Sequence, residues 1–253
     1  EDNAIRFGLS AVKSLGRPTI KAIIDERNKS RFTSMQDFIS RLYTDLNKRT
    51  LENLIKSGAF DTFGNNRRQM MSVYARMLDN EAKQGKDAIS GQMSLFDLVD
   101  ESEKSQFEIK MPDVSEYTKE DILAFEKEVL GVYVSGHPLD EYAAMWKKHI
   151  SAMSTDFEID DETGEPKVKV DSKATIGGMI MDKTVKTTKN GQLMAFLTIE
   201  DLVGTVEVLV FPQSFNTYRS VIDTSDKVFV TGRVSANADE NGKLICEKIV
   251  SFD

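Results

Sequence analysis

Thr205-Val206-Glu207-Val208-Leu209-Val210-Phe211 places a valine at every second position from 206 to 210. Side chains on a strand point alternately to opposite faces, so Val206, Val208 and Val210 share one face and predict a half-buried strand. The same period of two continues on both sides. Upstream, 175–186 and 192–200 read as two strands, with Asn190-Gly191 between them as a strong hairpin signal. Gly177-Gly178 interrupts the first of these, where a barrel strand can bend. Downstream, 212–222 reads as a helix, and 227–237 and 244–251 as two more strands. Three strands, a helix and two strands is the order of a five-stranded OB-fold β-barrel, assigned here to residues 173–253. Lys183, Lys186, Lys189 and Arg233 supply charge to this barrel, and Phe196 or Phe211 a ring on which a base can stack. Those are the ingredients of single-strand binding. The same two rings would serve equally well as filling for the barrel.

Ahead of the strands the apolar spacing is helical. Leu9, Val12 and Leu15 recur every third residue, Gly16-Arg17-Pro18 interrupts, and Ile20, Ile23 and Ile24 resume the apolar face. Pro18 suits the first turn of a helix, where its missing N–H costs nothing. Gly16 can take the positive φ that a turn between helices often needs. The helix then starts with free N–H groups beside Leu15, Gly16, Arg17, Thr19 and Lys21, a ready phosphate site. The plain alternative is a helical hairpin with surface lysines.

Thr33 and Gln36 have capping-box spacing and predict a helix through Phe38, Ile39 and Leu42. Asn47 caps the next helix, with Leu51, Leu54 and Ile55 as its stripe and Gly58 as its end. A second turn follows, carrying Gly64, Asn66, Arg67 and Arg68. Asn65 or Asn66 caps the helix after it, through Met70, Met71, Tyr74, Met77 and Leu78. Arg67 and Arg68 there oppose the helix dipole, and an anion held at that terminus offsets the cost.

Charge divides the chain. Residues 1–80 carry 14 lysines and arginines against 9 acids, residues 81–172 carry 10 against 22, and 173–253 carry 9 against 10. A basic first part beside an acidic middle points to a polyanion partner for the first part alone. The single cysteine, Cys246, excludes an internal disulfide and a cysteine-rich zinc site, and fits a reducing cytoplasm. His137 and His149 are the only histidines, too few for metal or triad chemistry, and no site metal is expected. No apolar run approaches the roughly 20 residues a bilayer span needs, so no membrane partner is expected. Glu1-Asp2-Asn3-Ala4 has no signal-peptide character and reads as a cut inside a longer protein.

The acidic middle holds one apolar element, Gln92-Met93-Ser94-Leu95-Phe96. Burying Leu95 and Phe96 is worth about 1.5–3 kcal/mol each, so they either staple onto a neighbouring domain or serve a partner. Further on, Thr118 opens a helix with Ile122, Phe125 and Val129 on one side, and Pro138 starts another containing Leu139, Tyr142 and Trp146. His137 between them has no catalytic or metal-binding companions and reads as a capping histidine. Residues 158–165 form a charge run without calcium-loop spacing, read as a solvated turn.

Ile5-Arg6-Phe7-Gly8-Leu9-Ser10-Ala11-Val12-Lys13, Leu54-Ile55-Lys56-Ser57-Gly58-Ala59-Phe60-Asp61 and the stretch 126–140 resemble the C-terminal region of the bacterial replicative DNA polymerase III alpha subunit. One difference stands out: Ser14-Leu15-Gly16 occupies the place where many such hairpins have Gly-x-Gly. The resemblance implies an α+β multidomain chain. A tandem helix-hairpin-helix domain at 1–80 would bind double-stranded DNA through backbone amides and basic side chains. A linker at 81–114 would carry a peptide at 92–96 for the ring-shaped sliding clamp, with Leu95 and Phe96 in an apolar pocket and Gln92 and Ser94 beside them. A helical connector at 115–172 would lead to the OB domain, with single-stranded template as a further partner. The parent would be a magnesium-dependent nucleotidyltransferase, while this part would contribute no catalytic residue and hold no cofactor. A separate DNA-repair or accessory protein made of the same modules is the alternative, and a hairpin-type nuclease or glycosylase a third reading.

Overall fold

The computed structural model describes residues 7–89, 109–160, 163–237 and 240–252. The chain forms two compact units, Glu1–Gly136 and His137–Asp253.

The first unit contains α1 (Arg17–Lys29), α2 (Met35–Leu42), α3 (Lys48–Lys56), α4 (Arg67–Ile89) and α5 (Lys119–Leu130). Each helix starts where a short polar side chain or a glycine meets a periodic apolar stripe. Asn47 accepts from the Thr50 N–H at 2.9 Å, and Asn66 from the Gln69 N–H at 2.8 Å. Thr118 and Asp121 form a reciprocal box at α5. The box expected of Thr33 and Gln36 lies one residue later. Ser34 caps α2 by accepting from Asp37 N–H, and Thr33 instead donates to the Asp37 carboxylate. An aspartate at the third position can serve both neighbours, whereas Gln36 reaches across to Glu81 at 2.6 Å. Met35, Phe38, Ile39, Leu42, Leu51, Leu54, Ile55 and Met70 make one core, all at most 3% exposed.

Two expectations about the middle of the chain change. The helix from Arg67 continues to Ile89, so the segment expected to be loop from residue 81 begins as helix. More consequentially, Ile109, Met111 and Leu130 pack back against the first unit's core. Asn66 and Gln69 hold the carbonyls of Val114 and Pro112 at 2.8 and 2.9 Å. Residues 81–89 and 109–114 therefore both belong to the first unit, and the expected connector at 115–172 is shared between the units. Residues 92–96 lie outside the described residues.

The second unit begins at His137, whose Nδ1 accepts from Leu139 N–H at 3.1 Å while Asp140 caps the His137 N–H at 2.7 Å. This is the structural histidine expected from the sequence. A 3-10 turn at Asp140–Tyr142 precedes α6 (Ala143–His149), so the helix expected from Pro138 starts later. Then come β1 (Lys173–Thr187), β2 (Leu193–Glu200), β3 (Thr205–Val210), α7 (Pro212–Thr224), β4 (Lys227–Ser235) and β5 (Lys243–Ser251). They close in the order β1-β2-β3-β5-β4, antiparallel except for β3 with β5. Alternate residues fill the barrel: Ala195, Leu197, Ile199, Val206, Val208 and Val210 are all at most 5% exposed. Gly177 is explained by close approach: a Cβ there would run into the Phe229 ring, and its carbonyl accepts the Trp146 indole N–H at 2.5 Å. Among the described residues no helix is long and apolar enough to cross a membrane.

Candidate nucleic-acid interface

The first hairpin runs from a 3-10 turn at Leu9–Ala11 into α1. Leu15 is buried and anchors the turn, its N–H donating to Val12 O at 3.3 Å. Ser14 takes φ +65°, so it keeps the left-handed turn that glycine would otherwise supply. Gly16 caps α1 with no side-chain acceptor, Pro18 lies in the first turn, and Arg17 is exposed beside it. Thr19 donates to Asp45 O at 3.2 Å, and Lys21 pairs with Asp25 at 2.8 Å on the open surface.

Three basic residues that the sequence reading did not single out flank this turn. Lys13, Lys48 and Arg49 line an open cleft of about 560 Å³ with Glu52, Asn53 and Glu128. Asn53 fixes the wall by donating to Lys13 O at 2.7 Å. Lys48-Arg49 directly after the Asn47 cap was the available signal, because residues there flank a helix start. Only the fold shows that this start lies beside the first hairpin.

The second hairpin is built differently. Gly58 has φ +78°, and the Arg67 guanidinium lies over the space a Cβ would fill. Arg67 is 4% exposed and uses its donors on Asp61 (3.0 and 2.7 Å), Lys56 O (3.0 Å) and Glu126 (3.0 Å). Glu126, fully buried, also accepts from the Val134 and Ser135 N–H groups and the Ser135 hydroxyl. Burial pushes its carboxyl pKa up, but those hydrogen bonds and Arg67 outweigh burial and hold it below the ordinary carboxylate value. The backbone N–H groups of Arg67 and Arg68 both donate to the Glu116 carboxylate, at 2.8 and 3.1 Å. The expectation that Asn66 and Arg67 face DNA is therefore corrected: their polar atoms are used inside the unit. Gly64 turns with φ +81° at the surface, and Arg68 keeps an exposed side chain against Tyr117. The start of α4, where a bound anion was expected, is occupied by the chain's own carboxylate.

On the barrel, Phe196 alternates with the buried Ala195 and Leu197, so its ring faces outward and does not fill the interior. Lys186 Nζ lies 4.8 Å above that ring. Register carries the same outward row around the barrel: Phe196 beside Leu209, Leu209 beside Ile245, Ile245 beside Arg233, and Arg233 beside Lys173. The residues picked from sequence on three separate strands thus share one belt, with two apolar side chains between them. Lys189 sits in the 188–192 loop at the belt's end, and Phe211 is 43% exposed where β3 meets α7. Lys183 is the exception. Past the irregularity at 180–182 it pairs with buried Leu197, reaching Asp223 of α7 at 2.7 Å. Beside the belt lies a cleft of about 590 Å³ whose lining includes Glu158, Glu207, Glu240 and Lys243, a poor place for phosphate.

Residues 1–70 match the family described as a helix-hairpin-helix motif, and 174–251 match the OB-fold nucleic acid binding domain. Along its whole length the chain is 34% identical over 255 residues to the DNA polymerase III subunit alpha of Borreliella burgdorferi, covering 100% of this chain and 21% of that protein. This chain is similar in sequence to the DNA polymerase III alpha subunits. The Mycobacterium leprae subunit is 34% identical over 251 residues (98% of this chain, 21% of that protein). The Escherichia coli K12 subunit is 29% identical over 256 residues, covering 100% and 21%. The chain spans about a fifth of the length of these alpha subunits. The two matched modules stand in the order read from the sequence.

Proposed function

We propose that this chain is the DNA-retention part of a replicative polymerase alpha subunit. It holds duplex DNA through its helical unit, meets the single-stranded template on the barrel's belt, and carries at 92–96 a peptide for the sliding clamp. The observation that supports this most is the first hairpin: an α1 start without a side-chain cap, flanked by Arg17, Lys13, Lys48 and Arg49. Free amides and cations converging at a helix start suit a phosphate backbone and read no base. The belt offers stacking and charge without hydrogen-bond readout, which suits a template of any sequence. Joining three weak contacts on one chain raises effective concentration without any one being tight.

Nucleotide transfer itself is proposed for the whole subunit in the cytoplasm, with magnesium. Among the described residues no three His, Cys, Asp or Glu side chains gather as a metal site.

Labelled duplex and single strands titrated at several salt concentrations test the DNA contacts. Log affinity falls linearly with log salt if phosphates are neutralised, and absent or salt-independent binding refutes the reading. Phe196→Ala weakens single-strand binding by about 1–3 kcal/mol per stacked base and leaves duplex binding unchanged. Leu95→Ala with Phe96→Ala abolishes clamp pull-down while thermal unfolding stays put. A large fall in melting temperature would favour the staple instead.

A further inference from the structure

The two hairpins have similar sequence outlines. We infer that only the first touches the duplex, and that the second is a clasp whose phosphate position is filled by the chain's own Glu116. This rests on the duplex-binding reading above and sharpens it.

The geometry at the second hairpin is that of an occupied anion site. The two carboxylate oxygens of Glu116 take one N–H each from Arg67 and Arg68, and one of them also accepts from the Tyr117 N–H at 2.8 Å. Next to it, Asn66 and Gln69 cap each other through Oδ1 and Oε1, at 2.8 and 3.0 Å, and their amide groups hold Val114 O and Pro112 O. A phosphate arriving here would have to displace a bonded carboxylate and would meet its charge. Of the two arginines expected to supply the cation, Arg67 is buried in the Asp61 and Glu126 pairs. Among the described residues nothing comparable covers the first hairpin. There α1 has no side-chain cap, and Arg17 and Lys13 are exposed on either side of the turn. Tandem hairpins that both gripped DNA would need two open helix starts. This chain has one open and one closed.

The closed one has a different role. It binds residues 112–116 onto the start of α4, and through Arg67 and Glu126 it also binds α5 and the 134–135 turn. That role accounts for Gly58, which has no room for a side chain.

The experiment is duplex titration across salt concentration on the whole chain. Arg17→Ala and Lys13→Ala each lower affinity and reduce the salt slope by about 1. Arg68→Ala, exposed and free to be removed without unfolding the unit, leaves both affinity and slope unchanged. Glu116→Ala, read against Glu120→Ala as a control of equal charge, raises affinity and steepens the slope by up to about 1, because two amides are released. Glu116→Gln keeps the shape and gives the smaller increase. If Arg68→Ala costs as much as Arg17→Ala, or if Glu116→Ala binds no better than Glu120→Ala, the one-hairpin assignment is wrong while duplex binding stands. If the unmutated chain does not bind duplex at all, the underlying reading fails instead.

Discussion

Two turns of like design sit in the first unit, one open and one filled. At the first, Gly16 caps α1 with nothing bonded to it from a side chain, and its cations stand in solvent. At the second, Asn66 caps α4 while a glutamate from 49 residues onward covers the next two amides. Helix starts offer the same unsatisfied N–H groups everywhere. What differs is whether the chain supplies the acceptor or leaves it to a ligand. A hairpin motif in a sequence therefore announces a helix start, and the fold decides whether that start is a binding site or a joint.

The largest effect expected from this contrast is on stability. Arg67→Ala strips the buried Glu126 of its cation and frees Asp61, and should destabilise the first unit by about 3–5 kcal/mol. Arg17→Ala, exposed and unpaired with any acid among the described residues, should fall within about 0.5 kcal/mol of the parent. Trp146 is the single tryptophan and belongs to the second unit, so its fluorescence follows the barrel while helical circular dichroism follows mainly the first unit. Arg67→Ala should lower the second signal's midpoint and leave the first in place. Equal stability changes for the two arginines would erase the distinction between clasp and contact.

Acid sharpens the same comparison at smaller scale. The folded pKa of Glu126 is depressed, so its contribution is fully present above its unfolded value, about 4.3, and fades as pH falls through the lower folded value. The helical unit should lose stability between about pH 4 and lower values, and Glu126→Gln should flatten that loss. On the barrel, Asp223 is depressed by Lys183, but it lies in solvent, where an ion pair contributes little. Its acid profile should be flatter. A helical transition insensitive to pH in this range would mean that the Glu126 carboxylate is not held as its hydrogen bonds imply.

Much of the fold was legible because period and caps are local. The five barrel strands fell within two residues of their observed ends, and Asn47, Asn66 and Thr118 cap where their side chains predicted. The site was legible only in part, because burial and pairing across long separations have no local signature. Nothing around Arg67 announces Glu126 as its partner 59 residues on, and nothing in Ser115-Glu116 announces that it covers α4. The belt on the barrel shows the opposite case. Phe196, Leu209, Ile245 and Arg233 become neighbours purely through strand register, and it is register that settles Phe196 as an outward ring where the sequence left it equally suited to filling the barrel. Lys183 left that pattern because an irregularity at 180–182 shifted the face it points to.

The smallest effect concerns the open hairpin itself. Ser14 holds φ +65°, a conformation that costs an ordinary L-residue about 1–2 kcal/mol. Glycine removes that strain but loses about 0.5–1 kcal/mol more chain entropy on folding. Ser14→Gly should therefore stabilise the first unit by about 0.5–1 kcal/mol, read as a small upward shift of the helical transition, with duplex affinity and salt slope unchanged. The unchanged affinity is the informative half. It would show that the hairpin already has the shape phosphate needs, and that the serine merely holds it under strain. A gain in affinity along with stability would instead mean that the turn is set only when DNA arrives.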